Sequence, residues 1–365
     1  MNVSKLKEIL YLVNENESHF LIQRHLNELI GNIANLNGQT QNPHFQQLYV
    51  AAFQQLEHSF DAMIEGFTPA QLMYIHEIGG ENFFTNNLIA DIRSWMQENV
   101  ATLTVALQKV QDFTLQRQSF IDRVTQTLAN LEYFGVEIND LSAGQAEIGF
   151  MIPRPIFENT LDLLIKEVQV INRIIRVFSE VTVGACVPIE VRQISTTDPN
   201  FYFGLAPEIV DAIGRAIVWG LDVLKKLHEL KSLKAAMTNT KEFSPEEIEK
   251  LIDEKIKNKI TNEIDGFKTN ILESKKLEKG RKHEIETSLN HILEDILSRV
   301  ESGMTVEVRF IPPPHIIGTE DSSVFASLNE IPTQLVFPKV EETRLLLLKR
   351  REPPIENDGK ENSSG

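Results

Sequence analysis

The chain has 365 residues, 24% of them charged and 42% hydrophobic, the composition of a folded globular protein and one that argues against wholesale disorder. Its formal net charge of −16 argues against general nucleic-acid binding, because neutralising phosphates needs a basic surface. The single cysteine, Cys186, excludes an intrachain disulfide, fits a reducing cytoplasm, and beside a strand reads as a small core residue.

Met1–Val13 carries Lys5, Lys7 and Glu8 among its apolar residues and so lacks the unbroken apolar run of a signal peptide. No stretch has the length of a transmembrane helix, and the expected location is the cytoplasm. From Leu6 to Leu36 the apolar spacing predicts an amphipathic helix interrupted near Asn14–Ser18. Pro43 opens a second helix that Gly66 stops, and Thr68-Pro69 is an N-cap followed by proline at the first helical position. Then Ile89, Ile92, Met96, Val100, Leu103, Leu107 and Val110 begin a stripe that steps by three and four to Leu131, with Thr114 and Arg117 as polar interruptions. One helix over that span is roughly 65 Å long at about 1.5 Å per residue. It fits either a dimerising rod or an antiparallel bundle with the first two helices.

Glu147–Pro153 reads as a strand, and Pro155 starts a helix with the stripe Phe157, Leu161, Leu164, Val168, Ile171, Ile175 and Phe178. Val187, Ile189 and Val191 alternate with Glu190 and Arg192, while Ile194 is out of step by one, which predicts either a bulge or the end of pairing near Gln193. Ser195–Asn200 is a dense turn, Phe201, Phe203 and Leu205 form the return strand, and Ala206-Pro207 closes it. The next helix has the stripe Ile209, Ile213, Ile217, Leu221, Leu224 and Leu227. Small residues Ala212, Ala216 and Gly220 flank it, allowing close approach to the sheet, and Asp211 and Arg215 are placed as an exposed pair. After a polar linker at 234–241, Ser244-Pro245-Glu246-Glu247 is a capping box that opens a charged helical hairpin. Its basic run between Lys275 and Lys282 reads as a solvated connector. Met304–Phe310 is a strand, 315–343 reads as irregular with strand-like pieces, and Leu345–Leu348 as a buried edge strand.

The expected fold is mainly α with a small α+β unit. Residues 1–135 form a helical bundle or coiled coil and 136–237 a strand-helix-strand-strand-helix centre. A charged hairpin covers 238–302, a short β-rich extension 303–350, and a disordered tail 351–365.

No phosphate loop, dinucleotide fingerprint, nucleophile elbow, kinase signature or H-E-x-x-H occurs, so no catalytic, cofactor or metal residue is assigned. The residues left over once core and turn chemistry are accounted for are Glu190, Arg192, Ser195, Thr196, Thr197, Asp198 and Asn200, a polar hairpin tip of the kind that reads partners.

Two segments, AEIGFMIPRPIFENTLDLLIKEVQVINRIIRVFSEVTVG and VPIEVRQISTTDPNFYFGLAPEIVDAIGRAIVWGLDVLKK, resemble those of a scattered set of uncharacterised bacterial proteins over roughly Gly66 to Lys234. In that set I-G-F-[LM]-I-P-R, a long apolar helix and P-[IV]-E-V-R-Q-I-S-T-[ST]-D-P follow a helical N-terminal half. The resemblance carries no catalytic residues. The element order is also similar to small adaptor domains of bacterial conflict and antiphage systems. The leading expectation is a non-enzymatic interaction or scaffold protein, binding a protein partner or itself. A defence-system sensor or adaptor, and an enzyme with an unfamiliar site in the α+β unit, are the alternatives.

Overall fold

The computed structural model describes residues 3–85, 87–99, 102–138, 141–195, 199–238, 245–273, 279–314 and 322–338, with side chains for all of these except 230–238, 245–253, 273 and 279–281. The sequence-derived Leu345–Leu348 strand, the 351–365 tail, Thr196, Thr197, Asp198 and the start of the basic run lie outside the described residues.

The N-terminal bundle begins with α1 (Val3–Phe20) and α2 (Ile22–Gly38). The break falls at Leu21, whose φ of 53° is left-handed, rather than at Asn14–Ser18. Glu17 explains the position: its Oε1 accepts the Gln23 N–H at 2.8 Å, satisfying an orphan donor of α2, while its Oε2 accepts from Arg117 at 2.5 Å. Next come α3 (Pro43–Glu65), capped by Asn42, and α4 (Pro69–Ile75), where Thr68 and Gln71 form a reciprocal capping box. A π turn (His76–Gly80) with Gly79 at φ 89° and a 3-10 turn (Glu81–Phe83) lead to α5 (Asn87–Glu98) and α6 (Leu103–Tyr133).

The stripe predicted as one helix from Ile89 to Leu131 is therefore two helices. Asn99 turns its side-chain amide back onto the Trp95 carbonyl at 2.8 Å, and the Thr102 N–H bonds the Asn99 carbonyl at 2.9 Å, so local polar groups end α5. The apolar face of α6 lies along α1 and α2 of the same chain, with Val110, Ile121, Val124 and Leu128 buried. Arg117, an interruption in the pattern, is fully buried: it also bonds Gln23 at 3.1 Å and sits over the Phe84 ring at 5.8 Å.

The rest of the chain builds on an antiparallel sheet of β1 (Ala146–Met151), β2 (Glu190–Ser195), β3 (Asn200–Leu205) and β4 (Thr305–Phe310), in the order β2-β3-β1-β4. The short helix α7 (Arg154–Phe157) and α8 (Leu161–Val183) lie between β1 and β2; α9 (Pro207–Thr238) follows β3 and continues into the stretch read as a linker. The hairpin α10 (Pro245–Glu273) and α11 (Lys279–Glu301) packs on α9, and Leu289, Ile292 and Ile296 share one core with Ile148, Phe178 and Ile213. The fold is thus mainly α with a small α+β unit.

Four further details differ from the sequence reading. Residues Ser322–Gln334 form a helix, α12, where strand-like pieces were expected; Leu328 and Ile331 bury against the second core and Phe325 stacks on Phe310 at 5.3 Å. Gly220 faces Ile296 of α11, and a Cβ on Gly214 would stand 2.9 Å from Ile331 of α12, so these glycines admit helices rather than the sheet. Asp211 does pair with Arg215, but it is 1% exposed. Burial pushes its carboxyl up, offset in part by Ser327 of α12 and by Arg215. Cys186, expected in the core, is exposed.

Arg117→Met should lower unfolding free energy by about 3–5 kcal/mol, because it leaves the Glu17 carboxylate without its buried partner. Adding Glu17→Gln should recover more than half of that loss in urea denaturation.

Candidate functional site

Directly opposed residues of an antiparallel sheet share a face. The register puts Phe203, Ile148 and Val308 in one row and Tyr202, Gly149 and Glu307 in the next. The first face belongs to the core of α8 and α9; the second meets α1 and α4 of the N-terminal bundle.

The second face carries a polar seam. A Cβ on Gly149 would stand 2.5 Å from the Tyr202 ring, so glycine is what lets that ring lie over β1 and reach β4. The Tyr202 hydroxyl donates to Glu307 Oε2 at 2.8 Å. From α1, Lys5 donates to Glu307 Oε1 at 2.6 Å and to Glu8 at 3.3 Å, with its ammonium 5.1 Å from the centre of the Tyr74 ring. The Tyr74 and Tyr202 hydroxyls are 3.2 Å apart, and Asn200 Nδ2 donates to them at 3.3 and 3.1 Å.

One row along, Glu190, Gly204, Glu147 and Arg309 are successive cross-strand partners. Arg192 lies across Gly204, where a Cβ would come 2.4 Å from its Nε, and pairs with Glu190 at 3.7 Å. Arg309 bonds Glu147 at 3.1 Å and pairs with Glu8 at 3.6 Å. Signs alternate across the sheet from Glu190 to Arg309, and Glu8 links this row to Lys5.

Burial pushes the Glu307 carboxyl up, but the Lys5 ammonium, Arg309 and the Tyr202 hydroxyl outweigh it and hold the group below the usual carboxylate range. Glu147 goes the other way: burial raises it, and Arg309 and Arg192 offset only part of the effect. Burial and the Glu307 charge raise both tyrosines, keeping them as O–H donors. The three cations of this seam, Lys5, Arg192 and Arg309, are each paired with at least one of its four carboxylates, Glu8, Glu147, Glu190 and Glu307. What the arrangement does is fasten α1 and α4 to the sheet.

Of the hairpin residues singled out by sequence, the structure places Glu190 at the surface, Arg192 half-buried over Gly204, and Ser195 and Asn200 buried as a cross-strand pair, with Asn200 drawn into the seam. Sequence reasoning missed Lys5, Tyr74, Tyr202 and Glu307. The available signal was Lys5, one turn before Ile9 on the buried face of α1. Among the described residues no group of His, Cys, Asp or Glu is arranged to hold a metal ion, and no helix is long and apolar enough to cross a membrane.

A second feature lies on the other face, at the outer strand β2. Val191 and Ile194 sit in the apolar rows with Phe203 and Phe201, yet they are 53% and 56% exposed. Opposite them Leu161 and Ile165 of α8 are exposed as well. Between the helix and the strand runs a cleft of about 650 Å³, floored by Val168 and Ile175 of α8 and by Val187, Ile189 and Phe201, with Asn172 and Arg176 among its polar residues. The bulge that shifts register between Val191 and Gln193 falls where the sequence placed it.

Comparison with family models, curated proteins and solved structures finds no match to the chain.

Glu307→Gln should destabilise the protein by about 3 kcal/mol at pH 7, since it leaves Lys5 buried beside a neutral group. The folded-state value of Glu307 lies below its unfolded one, so this contribution is complete above the unfolded carboxylate range, about pH 4.3, and disappears as pH falls through the lowered folded value. Urea unfolding of both proteins at pH 7, 5 and 3 should show the gap held at the first two and narrowed at the third.

Proposed function

We propose that this chain is a non-enzymatic interaction or scaffold protein that takes an extended, apolar segment of a partner protein as an added strand against β2. The observation that supports the reading is an outer strand with two exposed apolar side chains, Val191 and Ile194, of which Val191 lines an apolar cleft. Strand addition supplies main-chain hydrogen bonds along the outer side of β2, and alternate side chains of the guest enter the cleft between α8 and the sheet. The described residues that line the cleft include no carboxylate, histidine, cysteine or lysine, which favours binding over acid–base chemistry there. The apolar stripe of α6, the first candidate for association, is covered by α1 and α2, which moves the proposed surface to β2.

Fluorescence anisotropy with a panel of labelled decapeptides alternating leucine, isoleucine or valine with threonine tests the reading. Saturable binding is expected, weakened by about ten-fold or more, or about 1.4 kcal/mol, in the V191E/I194E protein. The melting curve of that variant should match the wild type because both side chains are already exposed. Failure of the whole panel to bind would remove the proposal.

A further inference from the structure

Among the described residues that line the cleft between α8 and the sheet, Arg176 alone carries a charge. Its Nε donates to Asn172 Oδ1 at 3.2 Å, and no carboxylate of the described residues pairs with it. The other arginines of α8 and β2 are compensated: Arg173 bonds Asp295 at 3.1 Å, and Arg192 pairs with Glu190 at 3.7 Å. The bond to Asn172 fixes the plane of the Arg176 guanidinium and leaves both terminal nitrogens to donate. That pair is the fork that grips a carboxylate through parallel hydrogen bonds. An unmatched cation beside an apolar hollow is the complement of an anion with an apolar body.

The cleft changes character along α8. Leu161, Leu164, Ile165 and Val168 line its N-terminal part, while Gln169, Asn172 and Arg176 bring polar groups to its C-terminal part. Leu161 and Arg176 are fifteen positions apart, about 22 Å at about 1.5 Å per residue. An extended hydrocarbon with bonds of about 1.5 Å advances about 1.3 Å per carbon, so about fourteen to sixteen carbons reach from the guanidinium to Leu161. The facing wall, which includes Val191, Phe201 and Phe203, is built from apolar side chains. Its volume of about 650 Å³ falls within the range of about 300–1,000 Å³ that small-molecule sites occupy.

We infer that the cleft binds a long-chain monocarboxylate, with its hydrocarbon along α8 and its carboxylate on Arg176. Strand addition is not required for this, because side chains make the contacts and no main-chain bond to β2 is needed. The net charge of −16 does not forbid an anion here: at physiological salt, charges beyond about 8 Å are largely screened, and the guanidinium is the near one. A ligand in the cleft fills the space that the side chains of a strand guest would enter, so the two exclude each other.

Isothermal titration calorimetry on the full chain at pH 7 tests this. The ligands are decanoate, dodecanoate and tetradecanoate below their micellar concentrations, and dodecyltrimethylammonium, which sets a similar chain under the opposite charge. Arg176 and Val191 are both exposed, so the R176E and V191E proteins should melt as the wild type does. The expected result is one saturable site for the carboxylates, affinity rising by up to about four-fold per methylene, and little or no affinity for the ammonium. R176E should weaken dodecanoate binding by about ten-fold or more, and V191E, which sets a carboxylate in the apolar wall, should weaken it as well. Equal affinity of the wild type for the two dodecyl ligands would overturn the role of Arg176. Carboxylate binding that neither variant weakens would place the ligand elsewhere and overturn the site. No carboxylate binding while the alternating peptides bind would overturn this inference and leave strand addition standing; no binding of either would overturn both.

Discussion

The contact on which the arrangement of the two cores depends is the buried pair Lys5–Glu307. One partner comes from the first helix and the other from the last described strand of the sheet, separated by 302 positions in the chain, and both side chains are largely withdrawn from solvent. Such a pair adds little net stability, because the desolvation of both charges roughly offsets their attraction. Its effect is on specificity: any other docking of the bundle on the sheet leaves a charge stranded in a low-dielectric seam. The tyrosine pair, Asn200 and the alternating row from Glu190 to Arg309 extend the same constraint across all four strands. Gly149 and Gly204 are part of it, since each clears the backbone for a side chain that crosses from a neighbouring strand.

How far the fold was legible follows from which signals are local. The strands and the bulge were readable because a period of two, and its slip at Ile194, are written in consecutive residues. The break between α5 and α6 was not, because Met96 and Leu103 stay in step with the stripe on either side of it. The helix ends through Asn99 and Thr102, whose polar groups do not disturb apolar spacing. Helix α12 was hidden by the prolines before it and by Pro332 inside it, although Val324, Leu328, Ile331 and Leu335 recur at helical spacing and all pack on the second core. The seam could not be assembled from sequence at all. Lys5, Tyr74, Tyr202 and Glu307 come from three regions that only the fold brings together, and each reads alone as an ordinary charge or an ordinary helix or strand aromatic. Of the hairpin residues, Asn200 joins the seam that holds the bundle and Arg192 pairs with Glu190, while the open apolar surface is on the opposite face.

The two faces of the sheet explain each other. Because the bundle covers the polar face and α9 and α12 cover the β1–β4 side of the apolar one, uncovered apolar area collects at one corner, where α8 stands off from β2. An outer strand flanked by exposed Val191, Ile194, Leu161 and Ile165 invites indiscriminate strand pairing unless something restrains it. Two features here do so. The bulge at Arg192 interrupts regular pairing, and Pro188 precedes the strand without a donor to offer. The charges Glu190 and Arg192 pair with each other on the far face, so that side of the strand offers no apolar surface to match the one facing α8.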